Sequence, residues 1–296
     1  MKPDIKNWLG RPAFILPATM ALLAFSIVPS LCTVLVSFTD WKLGQSGGFS
    51  FVGLDNYTNL LADHDFAKSL KNTLLMIAVV VPFSFILALN IALAIRNAGT
   101  WGKVWQTVYF LPVTASLVAM AVVWQWVLHP EVGLVAFLLS CFGIFQKINW
   151  LNDGDIVLFT LCFITMWQMT GYYTVLFVTG LVQIPSDLYE AAHIDGARSG
   201  TSRFFHITWP LLGPTSLFVL VITIIKTFQV FDIVKVLTRG GPEKQSEILL
   251  YTMYQEGFAF FRTGTSAAIA SIYLATMLIL IFCLIKIFGR KVHYGF

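Results

Sequence analysis

Residues 186–210 read SDLYEAAHIDGARSGTSRFFHITWP, a polar stretch lying between two of the longest apolar runs of the chain. Pro185 ends the run before it, and Ser186 suits a helix N-cap. A helix over DLYEAAHID can continue to Gly196, where the absence of a Cβ suits a left-handed C-terminal cap. Ser199 to Thr201 then opens a second helix, SRFFHITW, leading to Pro210 and the next apolar run. The predicted shape is helix, glycine turn, helix. On the first helix Leu188, Ala191 and Ala192 form a small apolar ridge at i, i+3 and i+4, while Glu190 and Asp195 offer charge. Side chains this small allow close approach, so the segment suits a cleft in another protein better than it suits lipid. On these residues alone, a plain connecting loop rich in helix formers is the alternative.

Outward from this stretch the chain is strongly apolar. Of its 296 residues 57% are hydrophobic and 11% charged, with 26 phenylalanines, a balance that excludes a soluble domain. Mean hydropathy is +0.77. A bilayer's hydrocarbon core demands about 20 apolar residues of a helix, and run length with flanking charge places spans at about 13–38, 72–95, 105–128, 156–181, 208–232 and 266–287. The expected fold class is therefore all-α, a polytopic membrane protein of six helices forming a single transmembrane domain over 1–296. The apolar run after MKPDIKNWLGR is too long for a signal-peptide core and no A-x-A site follows, so it reads as a retained span. VGLVAFLLSCFGIF is too short to cross and suits an interfacial or partly buried helix.

Six spans put both termini on one side. Lys2, Lys6 and Arg11, then Arg96 and Lys103, then Lys286, Arg290 and Lys291 fall together there in short segments. The basic residues of the other side are spread over longer, more acidic segments, so the charge rule favours cytoplasmic termini. Residues 186–210 then face the cytoplasm. The net charge of +4 is accounted for by these loops and calls for no nucleic-acid partner. Cys32, Cys141, Cys162 and Cys283 lie in or beside apolar runs without a C-x-x-C pair, as small buried hydrophobes do. His193 and Asp195 are too close in sequence, with no third converging ligand, to make a metal site. GTWGKV lacks the spacing and the Ser or Thr of a phosphate-binding loop, and no H-E-x-x-H motif or membrane-depth Ser/Lys dyad marks an intramembrane enzyme. A secondary transporter would bring inverted repeats and intramembrane acids, yet the spans hold no acid besides Asp232 at a rim.

The pattern EAAHIDGARSGTSRFFHITWP resembles the EAA loop of ABC-importer permeases: Glu190, Ala191, Ala192, Gly196, Ile207 and Pro210 match it position by position. FVGLDNYTNLL, GLVQIPSDLYEAA and VFDIVKVLTRGGP are similar to the carbohydrate branch that includes the maltose and glycerol-3-phosphate permeases, so the resemblance covers essentially the whole chain. Trp209 departs from it, standing where Leu is more usual.

The resemblance implies a type I ABC importer permease fold in a bacterial plasma (inner) membrane, working by alternating access. Its partners would be a second homologous permease, a cytoplasmic ATPase dimer and an extracytoplasmic binding protein. Glu190, Ala191, Ala192, Asp195, Gly196, Ala197 and Arg198 would form the ATPase-coupling segment. ATP and Mg would sit on the partner ATPase, leaving this chain without a cofactor. By the same resemblance, sugar-contacting positions fall on Gln168, Met169 and Tyr172 in span four and on Thr223, Lys226, Thr227 and Val230 in span five. A sugar site needs flat rings for apolar faces and hydrogen-bond partners for hydroxyls. Against this, Met169 and Val230 also suit packing, and Thr223 can bond its own helix backbone.

Lys226 is the sharpest feature, since a cation near mid-span costs about 2.5–3.5 kcal/mol on insertion scales. An anionic substrate, a partner acid, sugar hydroxyls or a bond to the second permease would each compensate it. Asp232 lies about 240° from it round a continuous helix, which argues against that pair. Lys226 replaces an aromatic stacking position of the maltose permease, which sets maltose itself aside and leaves the sugar open, with an anionic derivative or glycerol-3-phosphate as the second reading.

Overall fold

The computed structural model describes residues 15–44, 48–194 and 199–289. The basic residues of the amino-terminal segment, Arg290 and Lys291, and Asp195, Gly196, Ala197 and Arg198 of the EAA motif lie outside them. In chain order the principal helices are α1 (Ile15–Val36), α2 (Asp55–Ala62), α3 (His64–Asn97), α4 (Gly99–Thr114), α5 (Leu117–Val127), α6 (Leu134–Cys141), α7 (Val157–Val182), α8 (Ser186–Ile194), α9 (Gly200–Leu211), α10 (Gly213–Phe228), α11 (Leu249–Tyr254) and α12 (Thr263–Phe288). Among the described residues no strand forms beyond one bridge between Thr39 and Phe51.

Four helices, α1, α3, α7 and α12, are long and apolar enough to cross a bilayer, and the number rises to six when each of two bent pairs is taken as one span. The bent pairs fall where the single spans 105–128 and 208–232 were expected. Between α4 and α5 the axis turns by 96°, because Ala115 and Ser116 are both extended (ψ 145° and 129°) and interrupt the helical ladder. Between α9 and α10 it turns by 69°, where Pro210 and Pro214 each withhold a backbone N–H on either side of Gly213. The span expected at 72–95 is the interior of a longer helix that begins at His64, and the apolar run over VGLVAFLLSC gives only the eight-residue α6.

The chain divides into two compact units. One comprises residues 1–64 and 252–274. In it the Asn56 amide donates to the carbonyls of Ser37 and Thr39, both at 2.8 Å, and the Tyr57 and Ser37 hydroxyls meet at 2.6 Å. These bonds fasten α2 beneath the end of α1. Gly264 begins α12 against the Thr39 carbonyl, where a Cβ has no room.

The second unit comprises residues 65–251 and 275–296. Its core is built from the buried faces of α3, α7 and α10, with Met76, Val80, Leu161, Val219 and Phe228 inside and Phe85 meeting Phe177 edge to face at 5.1 Å. Lipid offers no hydrophobic drive between helices, so close approach at small residues supplies the attraction. Gly171 of α7 lies directly against the Tyr109 carbonyl of α4, and Gly180 faces the Thr215 side chain of α10. A polar clamp holds the loop after α10: the Asn72 amide donates to the carbonyls of Lys244, Gln245 and Glu247 at 3.3, 3.1 and 2.9 Å. Nearby, Lys244 pairs with Asp65 at 2.7 Å. Gly240, at φ 84°, gives this Gly-Gly-Pro loop its turn.

Candidate functional site

A recess of about 110 Å³ opens where α5, α7 and the end of α10 converge. Thr165, Gln168 and Met169 reach it from one face of α7, at the i, i+3, i+4 spacing that aligns side chains on a helix. Lys226, Gln229 and Val230 reach it from the other side, with Asp232 beyond them and Leu117 at the start of α5. The site exists because α10 stops at Phe228: Gln229 leaves the helix at ψ 2°, and the chain folds Val230 to Ile233 back over the same space.

Four of the seven residues expected along a substrate pathway, Gln168, Met169, Lys226 and Val230, therefore meet in one recess. Gln168 is 1% exposed and Val230 is also buried, whereas the Lys226 side chain is exposed. The other three do not line it. Tyr172 is half-buried one turn further along α7, its ring 5.8 Å from that of Tyr173. Thr223 and Thr227 are buried, and their hydroxyls donate to the carbonyls of Val219 (2.7 Å) and Thr223 (2.8 Å) within their own helix. Those two hydroxyls satisfy the helix backbone and do not face the recess.

Helical-wheel reasoning separates Lys226 from Asp232, yet both line the recess, because the helix that would have carried Asp232 away ends four residues before it. No ion pair joins them. Sequence reasoning passed over Gln229 and Thr165; their i+3 offsets from Lys226 and Gln168 were the signal available. Among the described residues no group of three or more His, Cys, Asp or Glu side chains is placed to hold a metal.

The polar stretch folds largely as its residues dictate. Helix α8 carries Glu190, Ala191 and Ala192, and α9 follows with Ser199 as its cap, the hydroxyl accepting from the Ser202 N–H at 3.0 Å. Leu188, Glu190, Ala191 and His193 are exposed and Ala192 half-exposed, so the outer surface of α8 is uncovered. Beside it an open groove of about 740 Å³ runs between α8, the end of α3 and α9, lined by Arg96, Tyr189, Glu190, Arg203 and Thr208 among others.

The family model of the binding-protein-dependent transport system inner membrane component matches residues 91–294. The chain is 34% identical over 269 residues to a probable ABC transporter permease protein of Pyrococcus horikoshii, covering 90% of this chain and 91% of that one. It is likewise 34% identical to the probable ABC transporter permease protein YurN of Bacillus subtilis, with 93% and 94% covered. The sn-glycerol-3-phosphate transport system permease protein UgpA of Agrobacterium fabrum is 33% identical over 83% of each chain. In fold the chain is similar to a chain of a bacterial alginate ABC transporter solved in complex with an alginate pentasaccharide-bound periplasmic protein, at a TM-score of 0.84 and 23% identity over 99% and 98% of the two chains. The secondary-transporter and intramembrane-enzyme readings give way to these matches. The chain belongs to the inner-membrane components of binding-protein-dependent transport systems, as a multi-pass, non-catalytic ABC permease.

Proposed function

We propose that the chain forms half of the translocation pathway of an ATP-driven importer for a carbohydrate delivered by an extracytoplasmic binding protein. The carrying observation is the recess that joins Gln168, Met169, Lys226 and Val230. It offers an amide, an ammonium and apolar surface together, as hydroxyl-rich ligands require. Its volume of about 110 Å³ is well below the roughly 300–1,000 Å³ of a typical ligand pocket, which supports a site completed by a second, homologous permease. The alginate named for the structural neighbour adds weight to the carbohydrate class, and the glycerol-3-phosphate of the UgpA relative to the second reading below.

In this reading each bent pair counts as one span, giving six, with both termini cytoplasmic in a bacterial plasma membrane. Helix α8 is the coupling helix, with Glu190, Ala191, Ala192 and the following Asp195, Gly196, Ala197 and Arg198 seated in a groove of an ATPase dimer that holds ATP and Mg. The uncovered outer face of α8 supports this docking. Tyr172, Thr223 and Thr227 act by shaping α7 and α10 behind the recess. A second reading, an anionic sugar derivative or glycerol-3-phosphate, is favoured by the exposed ammonium of Lys226, which meets no carboxylate.

The test is a binding screen of the cognate extracytoplasmic protein against neutral and anionic sugars, followed by uptake of the best ligand with Lys226→Ala. A neutral ligand whose uptake survives the substitution supports the first reading; an anionic ligand whose uptake is abolished while the complex still assembles supports the second. A binding protein that takes no sugar, no sugar derivative and no glycerol-3-phosphate overturns both.

A further inference from the structure

Among the described residues, one chain of side-chain hydrogen bonds joins helix α8 to the rest of its unit. Arg96 Nη1, at the end of α3, donates to the Tyr189 hydroxyl at 2.8 Å, and its guanidinium lies 4.4 Å above the Tyr189 ring. The same hydroxyl is 2.9 Å from Thr208 Oγ1. Arginine only donates, so the Tyr189 oxygen accepts from Arg96 and its own proton is free to go to Thr208. Among the described residues, Tyr189 is the one α8 side chain that hydrogen-bonds another element; the Ser186 hydroxyl reaches only Asp187 of the same helix. Around this chain lies an open groove of about 740 Å³ between α8, the end of α3 and α9, which the Tyr189 side chain crosses.

The far end of the chain is well placed to transmit movement. Thr208 is 4% exposed and closes the π-helical turn Phe204–Thr208, about one helical turn before the bend at Leu212 that starts α10. Single π turns inside α-helices recur at functional sites. A displacement of α8 thus reaches the root of α10, which carries Lys226, and the end of α3 through one side chain.

We propose that Tyr189 is a positioning residue that couples α8 to the substrate-pathway helices, braced by Arg96 on one side and Thr208 on the other. The proposal rests on α8 being the coupling helix. It is an assignment of mechanical role: removing the hydroxyl should separate ATP turnover from helix movement, while leaving the ring under Arg96 to preserve the local fold.

The test uses the complete transporter in lipid nanodiscs, with ATP and orthovanadate as the probe. Spin labels are placed at His193 of α8 and Phe218 of α10, both exposed. The wild-type pair should keep one distance distribution with and without ATP and vanadate, since the two helices move together. With Tyr189→Phe or Thr208→Val that distribution should shift or broaden on adding the probe, with ATP hydrolysis within about twofold of wild type, as expected when a hydrogen bond whose loss moves an equilibrium by about two- to tenfold is removed. Thr208→Ser, which keeps the hydroxyl, should behave as wild type. An unchanged distribution in Tyr189→Phe, or a wild-type pair that already separates on ATP binding, overturns the tie. Failure of the underlying reading has its own signature: a His193→Cys variant whose new thiol reacts with a maleimide equally fast with and without the ATPase subunit overturns the coupling-helix assignment.

Discussion

Replacing Gly171 by alanine should loosen the joint between α4 and α7 that supports one wall of the recess. A Cβ built at Gly171 meets the Tyr109 carbonyl oxygen head-on, sits 2.6 Å from the carbonyl carbon and 3.1 Å from the Phe110 Cα. All three are backbone atoms, so no side-chain rotation relieves the clash. Bringing the carbonyl carbon alone out to an ordinary contact of 3.4 Å requires about 0.8 Å of helix separation. Gaps of roughly 0.5–1 Å forfeit a quarter to a half of each dispersion contact along an interface, and overpacking of this kind costs about 1–3 kcal/mol. At about 1.4 kcal/mol per decade, the folded population relative to unfolded should fall by roughly five- to a hundredfold. The assay is the lifetime of the detergent-solubilised protein at fixed temperature, read as the monodisperse fraction on size exclusion. Gly200→Ala is the control, because nothing lies within 4 Å of its Cβ and alanine is the better helix former. A Gly171→Ala protein as long-lived as both wild type and the Gly200→Ala control would refute the close-approach argument.

Asn72→Ala should remove the donor shared by three loop carbonyls, at about 1–3 kcal/mol; hydrogen exchange should rise over residues 239–247, and Asn72→Asp, which offers only acceptors, should be worse. Thr227→Val should leave ligand selectivity in uptake within about twofold, because its hydroxyl serves the Thr223 carbonyl. Glu131, hydrogen-bonded by Lys147 at 2.6 Å, is held below its ordinary value of 4.5, chiefly by that bond and then by the charge of Lys147. A depressed carboxylate stabilises above its unfolded pKa and loses that contribution as pH falls through the folded value. The unfolding midpoints of wild type and Glu131→Gln should therefore differ slightly at neutral pH, converge on acidification, and differ less in high salt, the pair being exposed.

The apolar runs determined that this chain is an all-helical membrane protein, because a bilayer core admits no unpaired backbone and sets the helix length directly. The polar stretch likewise announced α8 and the capped start of α9, since Ser199 and the prolines act within a turn of themselves. The positions of Gln168, Met169, Lys226 and Val230 on facing elements were legible through resemblance to a family. Three things were decided only in three dimensions. The two bends arise at Ala115–Ser116 and around Gly213, where hydropathy is uninterrupted and a composition window sees one span. Asp232 reaches the recess of Lys226 because α10 ends at Phe228, which no helical wheel anticipates. And Arg96, Tyr189 and Thr208 meet although Arg96 and Tyr189 are 93 residues apart; a hydrogen bond across that distance in sequence depends on how helices pack, and no local periodicity encodes it.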